Sequence, residues 1–213
     1  MILNQQENES YPLTIACLQE KALENVSCYR YLGCEINTKE HTTGEAEINL
    51  RIDAAESKFY SITHNFLNMK INLKIRTTML NALIRSRLVH GCQTWNVNQT
   101  QLKRVGTSYN KMLRKLVKGG YKRREGSWSF VHRNEDILRM AKTLPLESFV
   151  KNQQRNYVAH IIRKNNSSIV KKLIFNSNES RKQGPQQSLL SNVLKNEGCT
   201  LQELMINAVN RKF

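Results

Sequence analysis

Two periodicities divide the chain. In residues 26–36 (VSCYRYLGCEI) the side chains alternate, with Leu32, Cys34 and Ile36 on one face and Tyr29, Tyr31 and Gly33 on the other, the period of two of a half-buried strand. Residues 13–18 (LTIACL) share its β-branched character, so two or three strands are expected, with Gly33 as a bulge or a point of close backbone approach. Further on the spacing changes to three and four. Ile48, Ile52, Ala55, Phe59, Ile62 and Phe66 trace one long amphipathic helix, opened by the capping box Thr42-Thr43-Gly44-Glu45. Asn72 is placed to cap a second helix with Ile75, Met79, Leu83 and Leu88 as its apolar stripe and Gly91 as its end. A third begins near Thr100, buries Leu102, Val105, Tyr109, Met112 and Leu116, and stops at Gly119-Gly120.

Residues 121–129 (YKRREGSWS) are polar and glycine-punctuated, the pattern of a hinge. Beyond them Asn134 is expected to cap a short helix. Pro145 fits the first turn of a longer one through Leu146, Phe149, Val150, Tyr157 and Ile161. Residues 176–187 read as loop, and Thr200-Leu201-Gln202-Glu203 opens a last helix with another capping box. The predicted fold is mainly α with a small N-terminal β-hairpin. It has three regions: residues 1–40 with the hairpin, a basic helical part over 41–120 and a smaller helical tail over 121–213.

Composition supports helix: 9 Gly and 3 Pro in 213 residues fall below the usual shares of about 7% and 5%. No run approaches the ~18 apolar residues of a membrane span. The first ten residues lack the layout of a signal peptide, so an intracellular protein with no membrane partner is expected. Five cysteines at irregular spacing (Cys17, Cys28, Cys34, Cys92, Cys199) read as reduced thiols.

Charge sharpens the picture most. The chain carries 33 Lys+Arg against 17 Asp+Glu, a net +16. Residues 1–60 hold five basic residues and ten acids, a net −5, whereas 61–213 hold 28 basic residues and seven acids, a net +21. Between Ser61 and Arg124 there are fourteen Lys/Arg and no acid. Because this block also has the helical apolar repeat, the basicity belongs to a folded part, and such a surface attracts nucleic acid. Arg104, Lys111, Lys115 and Lys118, at offsets of seven, four and three, form one ridge on the third helix. Among nearby aromatics, Tyr109 falls on the apolar stripe, whereas Tyr121, Trp128 and Phe130 border the Lys/Arg runs where bases could stack.

Little else carries chemistry. No two cysteines lie closer than six positions and the five histidines stand apart, which disfavours zinc. His90-Gly91-Cys92 invites a Cys/His nucleophile, but no acid stands nearby in the sequence to orient it, so a helix-end histidine is expected. Glu135-Asp136 suits the first turn of a helix. Only two aspartates occur, Asp53 and Asp136, so chemistry that needs clustered aspartates finds no candidates.

The order of motifs resembles a known family. YRYLGCEI (29–36), EINLRIDAAESKFYSI (47–62), LIRSRLVHGCQTW (83–95), YNKMLRKLVKG (109–119), QQRNYVAHIIRK (153–164), RKQGP (181–185) and ELMINAVNRKF (203–213) are similar, in that order, to the carboxy-terminal part of non-LTR retrotransposon (LINE, RTE-like) reverse transcriptases. Gln93, Ala159 and Asn210 depart from the family's usual Glu, Gly and Asp, and residues 187–190 (QSLL) lack its tryptophan.

The resemblance implies that Tyr31, Leu32 and Gly33 form a primer-grip-like hairpin left from the palm, that 41–120 is a thumb-like domain gripping template–primer, and that the rest is the family's tail. The family's adjacent Asp pair lies upstream of the primer grip and has no counterpart here. The implied protein is therefore a non-catalytic fragment that holds no cofactor of its own, the parent enzyme's magnesium belonging to the palm. The contacts expected at the phosphates of RNA, DNA or an RNA–DNA hybrid are Arg76, Arg85, Arg87, Lys103, Arg104, Lys111, Arg114, Lys115 and Lys118. The other expectations are a helical interaction module whose apolar stripes complete a missing palm or a partner, its exposed hairpin edge at 26–36 leading to self-association, a decayed product with no activity, and, least favoured, an independent enzyme.

Overall fold

The computed structural model describes residues 26–31, 33–37, 45–68, 70–95, 97–118, 121–124, 127–176 and 189–210. The expected strand at 13–18, the Thr42 capping box, Leu32, Gly119-Gly120 and most of the 176–187 loop lie outside them. The protein is mainly helical with a small N-terminal hairpin.

That hairpin pairs β1 (Cys28–Tyr31) with β2 (Cys34–Asn37) antiparallel, Tyr31 opposite Cys34. Gly33 is the turn, not a bulge inside one strand: its φ of 83° is a conformation that side chains with a Cβ disfavour. The long helix predicted next is split into α1 (Glu45–Ser61) and α2 (Thr63–Leu67). Hydroxyls explain the break: Ser61 Oγ donates to the Lys58 carbonyl and Thr63 Oγ1 to that of Phe59, both at 2.8 Å, which diverts carbonyls from the helical ladder.

Asn72 caps α3 (Leu73–Leu80), its Oδ1 accepting from Lys74 N at 2.9 Å. The helix continues through a π-helical turn (Asn81–Arg85) into α4 (Ser86–Leu88). Its buried stripe is Arg76, Leu80, Ile84 and Leu88, with Ile75 and Leu83 exposed, so the predicted stripe was off by one position over most of its length. A spacing of four drifts around a 3.6-residue helix, and the wider π turn brings the stripe back into line. Gly91 ends the run at φ 74°, followed by a short 3₁₀ turn, Cys92–Thr94.

α5 (Gln99–Leu116) is the central helix, packing against α1, α2, α3, α6 (Asn134–Ala141) and α7 (Leu146–Ile162). Its five predicted core residues are all buried, Tyr109 completely. The predicted hinge is instead a second hairpin, β3 (Tyr121–Arg124) with β4 (Ser127–Phe130); alternation in so short a segment was masked by its charges. α6 opens with Glu135 and Asp136 in its first turn, as expected. Asn134, however, is its first residue rather than its cap, and Asp136 accepts from Arg133 N at 3.2 Å.

Two apolar cores form. The first runs from Ile48 to Val150 and the second joins Val158, Ala159 and Ile162 to Leu190, Val193, Leu204 and Ala208. α7 contributes to both, so packing divides the chain within α7 and not at residue 120. Between them sits buried Gln154, whose amide donates to the Cys92 and Trp95 carbonyls at 3.2 and 2.9 Å. α8 (Ile169–Asn176), α9 (Leu189–Glu197) and α10 (Leu201–Val209) complete the second unit. The predicted box at Thr200 is present: Thr200 N donates to Glu203 Oε2 at 2.8 Å and Glu203 N to Thr200 Oγ1 at 3.3 Å. Among the described residues no helix is long and apolar enough to cross a membrane.

Candidate nucleic-acid interface

The predicted cations separate into structural and exposed groups. Arg76 is 4% exposed and donates to three carbonyls: Ile71 at 3.0 Å, Phe66 at 3.0 Å and Leu116 at 2.9 Å. Phe66 and Leu116 stand at the C-termini of α2 and α5, where carbonyls lack helical partners and the dipole favours a cation. Arg76 is therefore a clamp on two helix ends and not a phosphate contact. Arg114 likewise serves the fold and not a phosphate. It is buried at the end of α5 and donates to the His132 carbonyl and Asn134 Oδ1, both at 2.7 Å. This bond occupies the Asn134 side chain expected to cap α6. Sequence reading missed both because a charge in an apolar repeat looks like a surface residue; only the spacing of four from Arg76 to Leu80 and Ile84 hinted otherwise.

The ridge on α5 is real but lies along α1 rather than standing alone. Arg104 bonds Glu45 and, at 2.7 Å, Asn49 Oδ1. Lys111 Nζ is 3.6 Å from Glu56 Oε1. Lys115 Nζ donates to the Tyr60 hydroxyl at 2.9 Å and sits 4.3 Å from that ring's centre. Partners rise together along both helices, so α1 and α5 run parallel with the ridge at their seam. The acidic first sixty residues thus supply the partners of the acid-free block. The Gln101 amide, then Arg104, holds the Glu45 carboxyl below its usual range.

Arg104, Lys111 and Lys115 stay exposed despite these contacts, and surface ion pairs contribute only about 0–1 kcal/mol, so a phosphate can replace a carboxylate there. Arg87, Lys103 and Lys118 are exposed and form no ion pair among the described residues. Lys118 ends the ridge in a left-handed conformation, φ 56°. Arg85 is half-buried with its guanidinium 4.3 Å from the Phe149 ring centre, and it turns toward the core.

At the hairpin, Tyr31 is 57% exposed, and the Gly33 carbonyl accepts from Arg51 Nη2 at 2.6 Å. The side chains of Tyr121, Trp128 and Phe130 lie outside the description. Cys92, beside His90 in sequence, is buried, and burial pushes its thiol up to about 11. Among the described residues no three His, Cys, Asp or Glu side chains are grouped to hold a metal ion. A scan against protein-family models gives no match, and searches of curated proteins and of solved structures give none either.

Proposed function

We propose that this chain is a non-catalytic, carboxy-terminal part of a non-LTR retrotransposon reverse transcriptase that binds nucleic acid without sequence preference. The supporting observation is the exposed row Arg104, Lys111 and Lys115 along α5, continued by Lys118 just past its end, with Lys103 and Arg87 also exposed, on another side of α5 and on α4. Lysines on a smooth helix surface act as point charges toward phosphates rather than as readers of base edges. With Arg76 and Arg114 removed and Arg85 turned inward, the cations left together are the ridge Arg104, Lys111, Lys115 and Lys118, which neutralises about four phosphates. Log affinity for an RNA–DNA hybrid then falls with log salt at a slope of about −4.

No adjacent Asp pair occurs in the sequence, and two-metal polymerisation requires carboxylates that hold both ions. Primer extension with magnesium or manganese is therefore expected to yield no templated product, and any such product overturns the proposal. One observation favours a second reading as an interaction module: α8 and α10 leave Ile169, Leu173, Ile206 and Val209 60% or more exposed, and apolar side chains grouped at a surface mark contact sites. Light scattering discriminates, because a clean monomer at high concentration counts against self-association.

A further inference from the structure

His90 follows α4 in a turn, and its partner is not the neighbouring Cys92. Across the fold, Cys34 at the start of β2 places its Sγ 3.9 Å from His90 Nδ1. Arg51 of α1 brings Nη2 to 3.4 Å from the same sulfur. That guanidinium is fixed: its side chain is 8% exposed, it pairs with Glu47 at 2.6 Å, and it donates to the Gly33 carbonyl. Gly91 completes the surround, since a Cβ there would come within 3.2 Å of the sulfur. A thiol, an imidazole and a guanidinium thus meet at the hairpin tip, drawn from three segments. Cys34 is half-buried and His90 exposed, so small solutes reach them.

The other described cysteines have different surroundings. Cys92 is buried, and burial raises its thiol's range. Cys199 is raised by burial and by the Glu197 and Glu203 carboxylates, which oppose a thiolate. Cys28 is exposed on β1. A thiolate is the reactive form of cysteine, and a base within reach of the thiol proton can take it up as the sulfur attacks.

We propose that Cys34 is a modification site for hydroperoxides, with His90 as its proton acceptor and Arg51 as the partner of the sulfur's charge. His90 Nδ1 takes the thiol proton, and the sulfur attacks the terminal peroxide oxygen. An S–O bond forms as the O–O bond breaks. The departing oxygen leaves as an alkoxide, or as hydroxide when the oxidant is hydrogen peroxide, and takes the proton from the imidazolium to become the alcohol or water. Sulfur is oxidised by two electrons to the sulfenic acid and the peroxide is reduced by two.

The test exposes the full chain to stoichiometric hydrogen peroxide, traps sulfenic acid with a cyclic 1,3-dione, and maps the label over all cysteines by peptide mass spectrometry. Cys34 is expected to label about tenfold faster than Cys28, and His90→Gln to remove about that advantage while Cys28 labelling and the helical circular dichroism stay unchanged. Labelling of Cys34 no faster than Cys28, or an unchanged ratio in His90→Gln, overturns the proposal.

Discussion

Replacing Arg76 by Met separates the two roles that a cation in the basic block can have. The substitution keeps the apolar stem and removes a guanidinium that bonds the carbonyls of Ile71, Phe66 and Leu116. Two of those bonds are buried, and a buried carbonyl left without a partner costs about 1–3 kcal/mol. Two orphaned carbonyls therefore cost about 4 kcal/mol, offset in part because the buried charge and its desolvation are also removed. A net loss near 3 kcal/mol follows, and for a chain of this length it lowers Tm by about 6–12 °C. Thermal unfolding followed by circular dichroism reads that directly. Below the transition, hybrid binding should keep its salt slope. An unchanged Tm with the slope flattened by about one unit, the mark of a lost phosphate contact, would refute the clamp.

Other expectations follow from the same geometry. The Tyr109 hydroxyl donates to Asn81 Oδ1 at 2.6 Å in the core, so Tyr109→Phe should cost about 1–2 kcal/mol in urea unfolding, through the amide left unpaired. Thr200→Ala removes the α10 cap and should cost about 1 kcal/mol, seen as faster amide exchange in α10 while α5 stays protected. Glu45 is held below its ordinary value, so its contribution to the α1–α5 seam is present above the unfolded carboxyl's range and is lost as pH falls through the folded one; Glu45→Gln should abolish that part of the acid dependence of Tm. Cys92 has the opposite sign. Its thiol is pushed from 9.0 to about 11, so the unfolded chain loses this proton first and stability falls as pH rises above about 9, a fall that Cys92→Ala should reduce.

Much of this architecture is legible from spacing alone. The α5 core is read correctly because five apolar residues recur through a helix with no competing signal, and Asn72, Gly91 and Thr200 mark helix ends by chemistry that acts locally. The misreadings share one cause, the use of polar groups for structure. Ser61 and Thr63 break a helix that apolar period alone runs through. Arg76 replaces an apolar residue in a stripe and shifts it by one position. The β3–β4 hairpin is hidden by its lysine and arginines. The ridge on α5 is visible in the sequence, but its pairing with Glu45, Glu56 and Tyr60 is not, since those residues lie 55 to 59 positions away for their bonded partners. The same distance hides the meeting of Cys34 with His90.

If the α5 ridge meets phosphates, as proposed, a salt titration of hybrid binding shows it most directly. The intact chain should show a slope near −4, and Lys111→Ala, Lys115→Ala and Lys118→Ala together should flatten it by up to about three units with helical content preserved. No binding at low salt, or a slope indifferent to those three lysines, would contradict it.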